Sequence, residues 1–265
     1  MPAHITFCRL GICCVSLIVQ INRPVLAQGP LSIEQLIVSS SVWQLSSGIR
    51  FSSRQLDSGL HEDRRDGQLG LRYGVRSNLE LNTQLRRSQS ILRTSDTTTR
   101  VENSALDVGL NWQVFRESQF PALLLEYRVT AADTSGEFDQ SLAAQDIALT
   151  AYKSLDPVVV SITLRHRINS AYTQRDRLIE PGDQFQLESL LNFAVNPEVT
   201  LLGGAVIERR DALAIDSETR VPRHDRIAMR GGVGIASGVK HTMFALGDIA
   251  SDGSAAFNFT WLYRF

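Results

Sequence analysis

The chain ends on Phe257-Asn258-Phe259-Thr260-Trp261-Leu262-Tyr263-Arg264-Phe265, in which every second residue is aromatic. Successive side chains of a β-strand point to opposite faces, so the five rings share one face of a terminal strand. A transmembrane β-barrel needs such a face towards lipid and the lipid–water interface. The alternative, an edge strand of a soluble β-sandwich, explains a wholly aromatic face less well. The stretch therefore predicts a β-barrel in a membrane.

The same stretch resembles the C-terminal strand of bacterial outer-membrane proteins, which the barrel assembly machinery reads. That resemblance implies that the protein is located in the bacterial outer membrane. It also implies two partners, the outer-membrane lipids and the assembly machinery. The residues that would carry the assembly signal are the five aromatic ones, Phe257, Phe259, Trp261, Tyr263 and Phe265.

The N-terminus has the pattern of a signal peptide over residues 1–27. Arg9 supplies the positive charge, a short apolar stretch runs from Leu10 to Ile21, and Val25-Leu26-Ala27 suits signal peptidase, which predicts cleavage after Ala27. The apolar stretch is too short to cross a bilayer as a helix. The lipoprotein alternative at Cys13 or Cys14 is disfavoured by Ile12, an awkward residue before an acceptor cysteine.

Composition excludes several classes of function. All three cysteines fall within the predicted signal peptide, so the mature chain has neither disulfides nor thiol chemistry. Removing that peptide takes away two arginines and no acid, which moves the net charge from −1 to −3 and argues against nucleic-acid binding. The chain is 43% hydrophobic and has no apolar run of 18 residues, so transmembrane helices are not expected.

Residues 42–265 contain twelve segments in which apolar and polar residues alternate, the signature of half-buried strands. In the eleventh and weakest segment we assign Thr242, Phe244 and Leu246 to the lipid-facing side. The segments are 43–52, 68–76, 79–86, 106–114, 123–129, 147–155, 158–167, 184–195, 199–207, 227–235, 242–246 and 257–265.

The connections alternate in length, which is typical of outer-membrane barrels with short periplasmic turns and longer extracellular loops. Because twelve is even, both ends of the barrel are expected in the periplasm. The sequence thus predicts an all-β fold, a twelve-stranded antiparallel transmembrane β-barrel. The predicted long loops are 55–66, 87–104, 131–145, 169–183, 209–224 and 249–254.

Residues 28–41 form a separate N-terminal periplasmic lead. Ser32 and Gln35 have the spacing of a helix capping box, and the apolar residues that surround them have helical spacing. We expect a short helix or a plug that enters the lumen, with an idle tail as an equal alternative.

The sequence gives no strong indication of an enzyme. The outer-membrane phospholipase family, also twelve-stranded, places a His and a Ser two residues apart on a strand. No histidine of the mature chain is followed by a serine two residues later. His61-Glu62-Asp63 and His224-Asp225, expected in loops, have groups that can transfer protons, but such clusters are more often solvated loop charge. A metal ion held between the two loops by His61, Glu62, Asp63 and His224 has no dense ligand spacing to support it. We therefore predict no catalytic residues, no metal site and no cofactor.

The inward face of the predicted barrel is rich in charge. With Arg54, Arg76 and Arg264 it carries ten arginines against six acids. These charges either line a hydrated channel that favours anionic or polar solutes, or pair with one another and fill the lumen. The principal candidates are Arg50, Arg72, Glu80, Arg86, Asp107, Glu126, Arg128, Asp146, Arg165, Arg167, Glu188, Glu208 and Arg230.

Several motifs resemble a family of outer-membrane transporters named after the meta-pathway of phenol degradation. They are Leu71-Arg72-Tyr73-Gly74-Val75-Arg76-Ser77-Asn78-Leu79-Glu80-Leu81, Leu155-Asp156-Pro157-Val158-Val159, Pro181-Gly182-Asp183, Phe193-Ala194-Val195-Asn196-Pro197-Glu198-Val199 and Tyr263-Arg264-Phe265. The glycine- and proline-rich segment of the family after its fifth strand is reduced here to residues 131–136. The resemblance implies the fold and the outer membrane, and it brings no catalytic residues.

As function we predict passive passage of small solutes, anionic or aromatic ones among them. The first alternative is a barrel that does not transport and serves structure, adhesion or sensing, with a charge-filled lumen. A barrel enzyme ranks third.

Overall fold

The computed structural model describes residues 37–55, 61–93, 98–135, 138–174 and 176–265. The predicted signal peptide, the cleavage site at Ala27 and residues 28–36 of the lead lie outside these ranges. No helix in the described ranges is long and apolar enough to cross a membrane.

Twelve antiparallel strands close into a barrel, which confirms the fold predicted from the alternation. Each barrel strand pairs with the barrel strands before and after it, and the first (Trp43–Gln55) pairs with the last (Ala255–Arg264) from Gln44 opposite Arg264 to Ser53 opposite Ala255. The barrel strands are β1 (Trp43–Gln55), β2 (His61–Arg76), β3 (Leu79–Arg93), β4 (Thr98–Phe115), β5 (Ala122–Ser135), β6 (Phe138–Leu155), β7 (Val158–Asn169), β10 (Gln184–Ala194), β11 (Val199–Arg210), β14 (His224–Ser237), β15 (His241–Ala250) and β16 (Ala255–Arg264).

Short turns lie at one end of the barrel. We call it the turn end, and the opposite one the loop end. The start of β1 and the end of β16 also lie at the turn end, where the Trp43 N–H donates to the Phe265 carbonyl at 3.2 Å and the Phe265 N–H donates to the Trp43 carbonyl at 3.1 Å. The turns are residues 77–78, 116–121, 156–157, 195–198 and 238–240.

Burial is inverted relative to a soluble protein. Large apolar side chains on the outer face are open to the surroundings, with Leu85 56% and Ile49 49% exposed, while Glu80 and Asp107 on the inner face are 0% and 1% exposed. Exposed apolar area on this scale requires a cover, and lipid supplies one all round the barrel. Along β4 the apolar outer face runs from Phe115 to Leu106, about 23 Å along the barrel axis at the usual strand rise and tilt.

Aromatic rings gather on the outer face at the turn end. Trp43 and Tyr73 lie 4.4 Å apart between ring centroids, and Tyr263 lies 6.0 Å from Trp261 and 5.7 Å from Phe265. His241 of β15 joins this group, 4.9 Å from Tyr263. Such rings form the interfacial girdle of a transmembrane barrel. The alternate aromatic residues of β16 therefore share the outer face, as the sequence predicts.

The strands extend further towards the loop end than the sequence predicts. Residues 61–66, 87–93, 98–104 and 131–135, expected in loops, belong to β2, β3, β4 and β5. The alternation of apolar and polar residues stops where the apolar band ends, but the backbone ladder continues. The alternation of apolar and polar residues therefore predicts the part of a strand that lies in the apolar band. It does not predict the polar part that continues beyond it.

Two of the predicted long loops contain small hairpins. Strands β8 (Tyr172–Gln174) and β9 (Arg177–Glu180) lie between β7 and β10, and β12 (Leu213–Ile215) and β13 (Glu218–Val221) lie between β11 and β14. The hairpins join through β9 and β12 into a four-stranded sheet. Asp216 fixes the junction by accepting hydrogen bonds from the Arg177 guanidinium at 2.7 Å and the Leu178 N–H at 2.8 Å.

Strand β15 has the opposite orientation to the one expected. Phe244 and Leu246 stand opposite Gly234 and Gly232 on the inner face, while Met243 stands opposite Trp261 on the outer face. The apolar residues of β15 point inward because the glycines of β14 leave room for them. An ideal Cβ on Gly232 would lie 2.6 Å from Leu246 Cδ2.

Deleting Phe265 should impair assembly because the two hydrogen bonds with Trp43 and the last ring of the girdle are lost together. We expect a marked fall in the folded, heat-modifiable form in outer membranes, measured by electrophoresis with and without boiling. Phe185→Ala, which removes an outward ring from β10 and leaves β16 unchanged, is the control and should assemble normally. Normal membrane levels of the deletion variant would contradict the assembly-signal role.

Candidate functional site in the barrel lumen

The inner face at the turn end carries a buried polar group that we call the Glu80 cluster, formed by Gln44, Arg72, Glu80, Asn111 and the Val38 N–H. The Arg72 guanidinium donates two hydrogen bonds to the Glu80 carboxylate, of 2.6 and 2.7 Å, and one to the Gln44 side-chain oxygen at 2.9 Å. Asn111 donates to the same carboxylate at 2.8 Å. A bidentate arginine–carboxylate pair with further donors is among the stronger polar arrangements in proteins.

The described part of the lead begins inside the barrel and leads out to the start of β1 at the turn end. The Val38 N–H donates to Glu80 Oε2 at 2.8 Å, and Val38 is 2% exposed. Ser41 and Val42 continue along the wall with backbone hydrogen bonds to Gly74 of 2.7 and 3.1 Å. A Cβ on Gly74 would lie 2.1 Å from the Ser39 carbonyl oxygen, so only glycine permits this approach. Residues 37–39 thus lie against the inner wall at the turn end, and residues 37–42 have no helical structure.

A second group surrounds Asp107 in the middle of the same wall. Arg86 holds Asp107 with bonds of 2.5 and 3.0 Å, and the Thr130 hydroxyl donates to it at 2.7 Å. Arg86 retains 34% of its side-chain exposure, whereas Asp107 retains 1%. The carboxylate is therefore enclosed, while part of the guanidinium still faces the lumen.

The wall continues with arginines that share carboxylates across β5, β6 and β7. Arg165 contacts Glu126 and Asp146, each at 3.3 Å, and Arg167 contacts Asp146 at 3.1 Å. Arg128 contacts Glu126 at 2.7 Å. Each of these arginines keeps about a quarter of its side chain exposed, and their carboxylates are more buried. This wall presents positive groups to the lumen in front of buried negative ones.

On the opposite wall Arg230 bridges β14, β15 and β10. Its guanidinium makes two bonds of 2.7 and 3.0 Å to Asp248 and also contacts Glu188. Arg50 lies 3.9 Å from Asp248 and is 41% exposed, which makes it one of the more open cations of the inner face.

Near the loop end a further group joins β11, β14 and the turn after β15. Arg226 lies 3.6 Å from Glu208 and 3.8 Å from Asp252, and His224 lies 3.5 Å from Asp252. Burial alone would raise the pKa of Asp252, but hydrogen bonds from the Ser254 hydroxyl and N–H, together with the nearby Arg226, hold that pKa below its usual range.

Apolar and small residues line the inner face between these charges on β10 to β15. Leu190 lies against Gly204, and Phe244 and Leu246 lie against the glycines of β14. Leu202 shares this face, standing opposite Gly232. We call Leu190, Leu202, Phe244 and Leu246 the apolar wall. The lumen thus has two unlike sides, an arginine-rich one on β2 to β7 and a partly apolar one on β10 to β15.

The thirteen lumen candidates all lie on inner-face positions of their strands, and every one has an ion-pair partner. Arg76, by contrast, lies exposed beside the first turn. Sequence reasoning missed Asp248 because β15 was assigned the wrong orientation, and it missed Arg226. With Asp248 and Arg226 included, eight arginines face seven acids. The predicted arginine excess is thus much reduced.

The residues considered for catalysis lie on strands rather than in loops. His61, at the start of β2, contacts Ser53 at 3.2 Å and Asp63 at 3.1 Å on the outer face. Both contacts use Nε2, whereas a catalytic triad needs the two different nitrogens of the ring for the serine and the acid. Among the described residues no group of three or more His, Cys, Asp or Glu side chains is suited to hold a metal ion.

Solved structures are similar to this chain over most of its length. An outer-membrane channel from Pseudomonas putida F1 matches with a TM-score of 0.69 at 14% identity, over 86% of this chain and 97% of that one. The fold is that of bacterial outer-membrane β-barrels. At such identity the likeness shows the fold alone.

Two autotransporter barrels match less well. The translocator domain of NalP from Neisseria meningitidis has a TM-score of 0.56 at 12% identity, over 88% of this chain and 91% of that one. The β-domain of the Bordetella autotransporter BrkA has a TM-score of 0.55 at 11% identity, over 85% and 100%. No protein-family model matches the sequence, and none of the curated proteins matches it.

Glu80→Gln should release the lead from the wall. The substitution removes the ion pair with Arg72 and weakens the hydrogen bond that Glu80 accepts from the Val38 N–H. Breaking a buried ion pair costs about 3 kcal/mol. We expect faster amide hydrogen exchange at residues 38–42, measured by mass spectrometry on the protein in detergent. Gly74→Val should give the same result by steric exclusion of Ser39. Glu188→Gln, on the opposite wall, is the control, and unchanged exchange in both test variants would contradict the role of the cluster.

Proposed function

We propose that the protein is an outer-membrane barrel that gives passive passage to small solutes, with the turn end in the periplasm. The observation that carries this proposal is the lumen, whose charged groups are paired and partly exposed, and whose arginine-rich wall faces a partly apolar one. Conduction needs binding that is strong enough for entry and weak enough for exit. Arginines whose charges are compensated by buried acids supply a polar path that does not bind a solute too tightly to release it.

The two walls favour solutes that have an acidic group and an apolar or aromatic body. A carboxylate would move along Arg86, Arg165 and Arg167, and the body of the solute would face the apolar wall. Because eight arginines face seven acids once Asp248 and Arg226 are included, we expect only a moderate preference for anions. We therefore propose small acids with an apolar or aromatic body as the solutes that pass.

We also propose membership of the transporter family named after the meta-pathway of phenol degradation. Its strand–turn–strand motif coincides with the hairpin of β2 and β3, in which residues 77–78 form the turn. The Asp156-Pro157 motif forms the turn between β6 and β7, and residues 195–198 form the turn between β10 and β11. These coincidences support the resemblance, and a turn of this kind is also common to barrels in general.

A barrel that does not transport is the second candidate, and the Glu80 cluster is the observation that favours it. Ile37 and Val38 are buried at the turn end of the lumen, where the Glu80 carboxylate accepts a hydrogen bond from the Val38 N–H. If the lead closes the barrel permanently, the long strands at the loop end would serve adhesion or sensing instead. We propose no enzymatic activity, and as partners the barrel assembly machinery and the outer-membrane lipids.

Purified protein in planar lipid bilayers separates the two candidates. The proposed function predicts discrete conductance steps and swelling of proteoliposomes in small sugars or amino acids. Gly74→Val, which displaces the lead, should raise the conductance if the lead narrows an open path. Absence of conductance and of swelling in both proteins would contradict passage and leave the non-transporting barrel.

Asp146→Asn should increase anion selectivity. The substitution removes the carboxylate shared by Arg165 and Arg167, so one uncompensated positive charge then faces the lumen. We expect the reversal potential in a KCl gradient to move in the anion direction, more at low than at high ionic strength because salt screens the field. Glu102→Gln changes the net charge equally on the outer face and should leave the reversal potential unchanged. An equal shift in both variants would mean that Asp146 does not line the path.

Phe244→Ser should weaken the preference for aromatic anions. We expect the uptake of benzoate by proteoliposomes to fall severalfold relative to that of acetate, because the apolar wall loses its largest side chain. Met243→Ser alters the next residue of β15, which lies on the outer face, and is the matched control. An unchanged ratio of benzoate to acetate would show that the apolar wall takes no part in solute choice.

A further inference from the structure

The outer face of β2 to β4 carries a concentration of arginines at the loop end. Arg65, Arg87, Arg93 and Arg100 occupy outward positions of these strands, with Asp63 and Glu102 among them; we call these six residues the outer arginine cluster. Glu102 contacts Arg87 at 3.0 Å and Arg100 at 3.2 Å, and Asp63 contacts Arg93 at 3.3 Å. Four guanidinium groups against two carboxylates leave two positive charges in excess.

Two members of the cluster are especially available to a ligand. The Arg87 side chain is 75% exposed even though it contacts Glu102. Arg65 is exposed and forms no ion pair with the residues that the structure describes. The register places Arg65 opposite Gln89 of β3 and Phe51 of β1, so no acid stands directly beside it in the sheet.

The cluster begins where the apolar band ends. Arg87 is the next outward residue after Leu85, which is 56% exposed, and Arg65 follows Leu69 after Gly67. In a barrel that spans a membrane, this height corresponds to the headgroups of the leaflet at the loop end. Arginine at that level attracts anionic headgroups and forms bidentate bonds with phosphate.

A groove of about 600 Å³ lies directly below Arg87 on the outer surface. Its outward walls are Ile49, Leu69, Leu85 and Leu106, and its floor includes Gly67 and Ser104. The groove is open at Gly67, because an ideal Cβ there would meet nothing nearer than the Arg87 carbonyl oxygen at 3.9 Å. Apolar walls below a cation have the chemistry of a site for an acyl chain and its anionic headgroup.

A second groove of about 470 Å³ lies beside the first, across β1 and β16. Phe51, Phe257 and Arg65 lie at one height in the register and form its turn-end side, while Asp63 lies nearer the loop end. The second groove therefore begins at the height of Arg65, nearer the loop end than the first groove, whose loop-end rim is Arg87.

We propose that this face binds the lipid A part of lipopolysaccharide, with acyl chains along the first groove, the sugar headgroup against the second groove, and phosphate groups at Arg65 and Arg87. Two phosphates on one wide headgroup match two excess positive charges and a second groove at headgroup height better than a phospholipid with one phosphate does. The inference rests on the outer-membrane placement in the proposed function, with the loop end towards the cell exterior. It does not depend on an open lumen.

The test is native mass spectrometry of the detergent-purified, folded barrel with added diphosphoryl hexa-acyl lipid A. We expect one lipid A bound per barrel and binding about tenfold weaker, or more, in Arg65→Gln/Arg87→Gln, which removes the charge-assisted bonds. Arg209→Gln is the control, because Arg209 is an outward arginine of β11 at the same boundary, where it faces Asp225 at 3.8 Å. Equal affinity in wild type and double variant would overturn the proposal, as would an equal loss in the control.

A second pair of variants tests the groove without changing charge. Gly67→Leu should fill the first groove and weaken lipid A binding, while Gly203→Leu, at an outward position with open space around it, should not. Phosphatidylglycerol that binds as tightly as lipid A would overturn the choice of ligand. Conductance separates this inference from the proposed function, because lipid A binding without conductance overturns passage alone, and conductance without lipid A binding overturns this inference alone.

Discussion

The structure depends on the closure of the ladder between β1 and β16. An open sheet would expose unpaired N–H and C=O groups along both edges, and in lipid each such group costs several kcal/mol. Closure pairs Trp43 with Phe265 and leaves no edge in the apolar band. It also forces one face of every strand into a shared interior. The outer face can then be wholly apolar only if the inner face takes the polar residues.

An interior built in this way has to manage many charges in a narrow space. The chain does so by burying acids and leaving their arginine partners partly exposed, as in the pairs of Arg86 with Asp107 and Arg72 with Glu80. Arginine suits this arrangement because its planar guanidinium binds one carboxylate through two bonds and still has donors for another group. Arg72 uses that capacity to reach Gln44. The walls are thereby stiffened by side chains as well as by the backbone ladder.

The sequence predicts the strands within the apolar band. It does not predict the polar extensions of the strands, the orientation of β15 or the contact of the lead with the wall, and the reason is physical. Alternation appears wherever one face meets lipid and the other meets a polar interior, so eleven strand orientations and all thirteen lumen candidates follow from it. Beyond the band both faces are polar, and the extension of β3 to Arg93 leaves no pattern. On β15 the pattern misled, because Phe244 and Leu246 face glycines of the neighbouring strand inside the barrel. The contact between Val38 and Glu80 joins residues far apart in the chain, and no local signal marks it.

The two sides of the wall show the same chemistry put to different uses. Inside, arginines stand in front of buried acids in nearly equal number, so the field in the lumen is strong close to each pair and weak along the axis. Outside, at the loop end of β2 to β4, arginines exceed acids and lie in the open, Arg87 above an apolar groove. A balanced interior lets a solute pass without being held, whereas an unbalanced exterior holds a ligand that does not need to move. The distribution of acids, rather than that of arginines, therefore decides which face is suited to passage and which to retention.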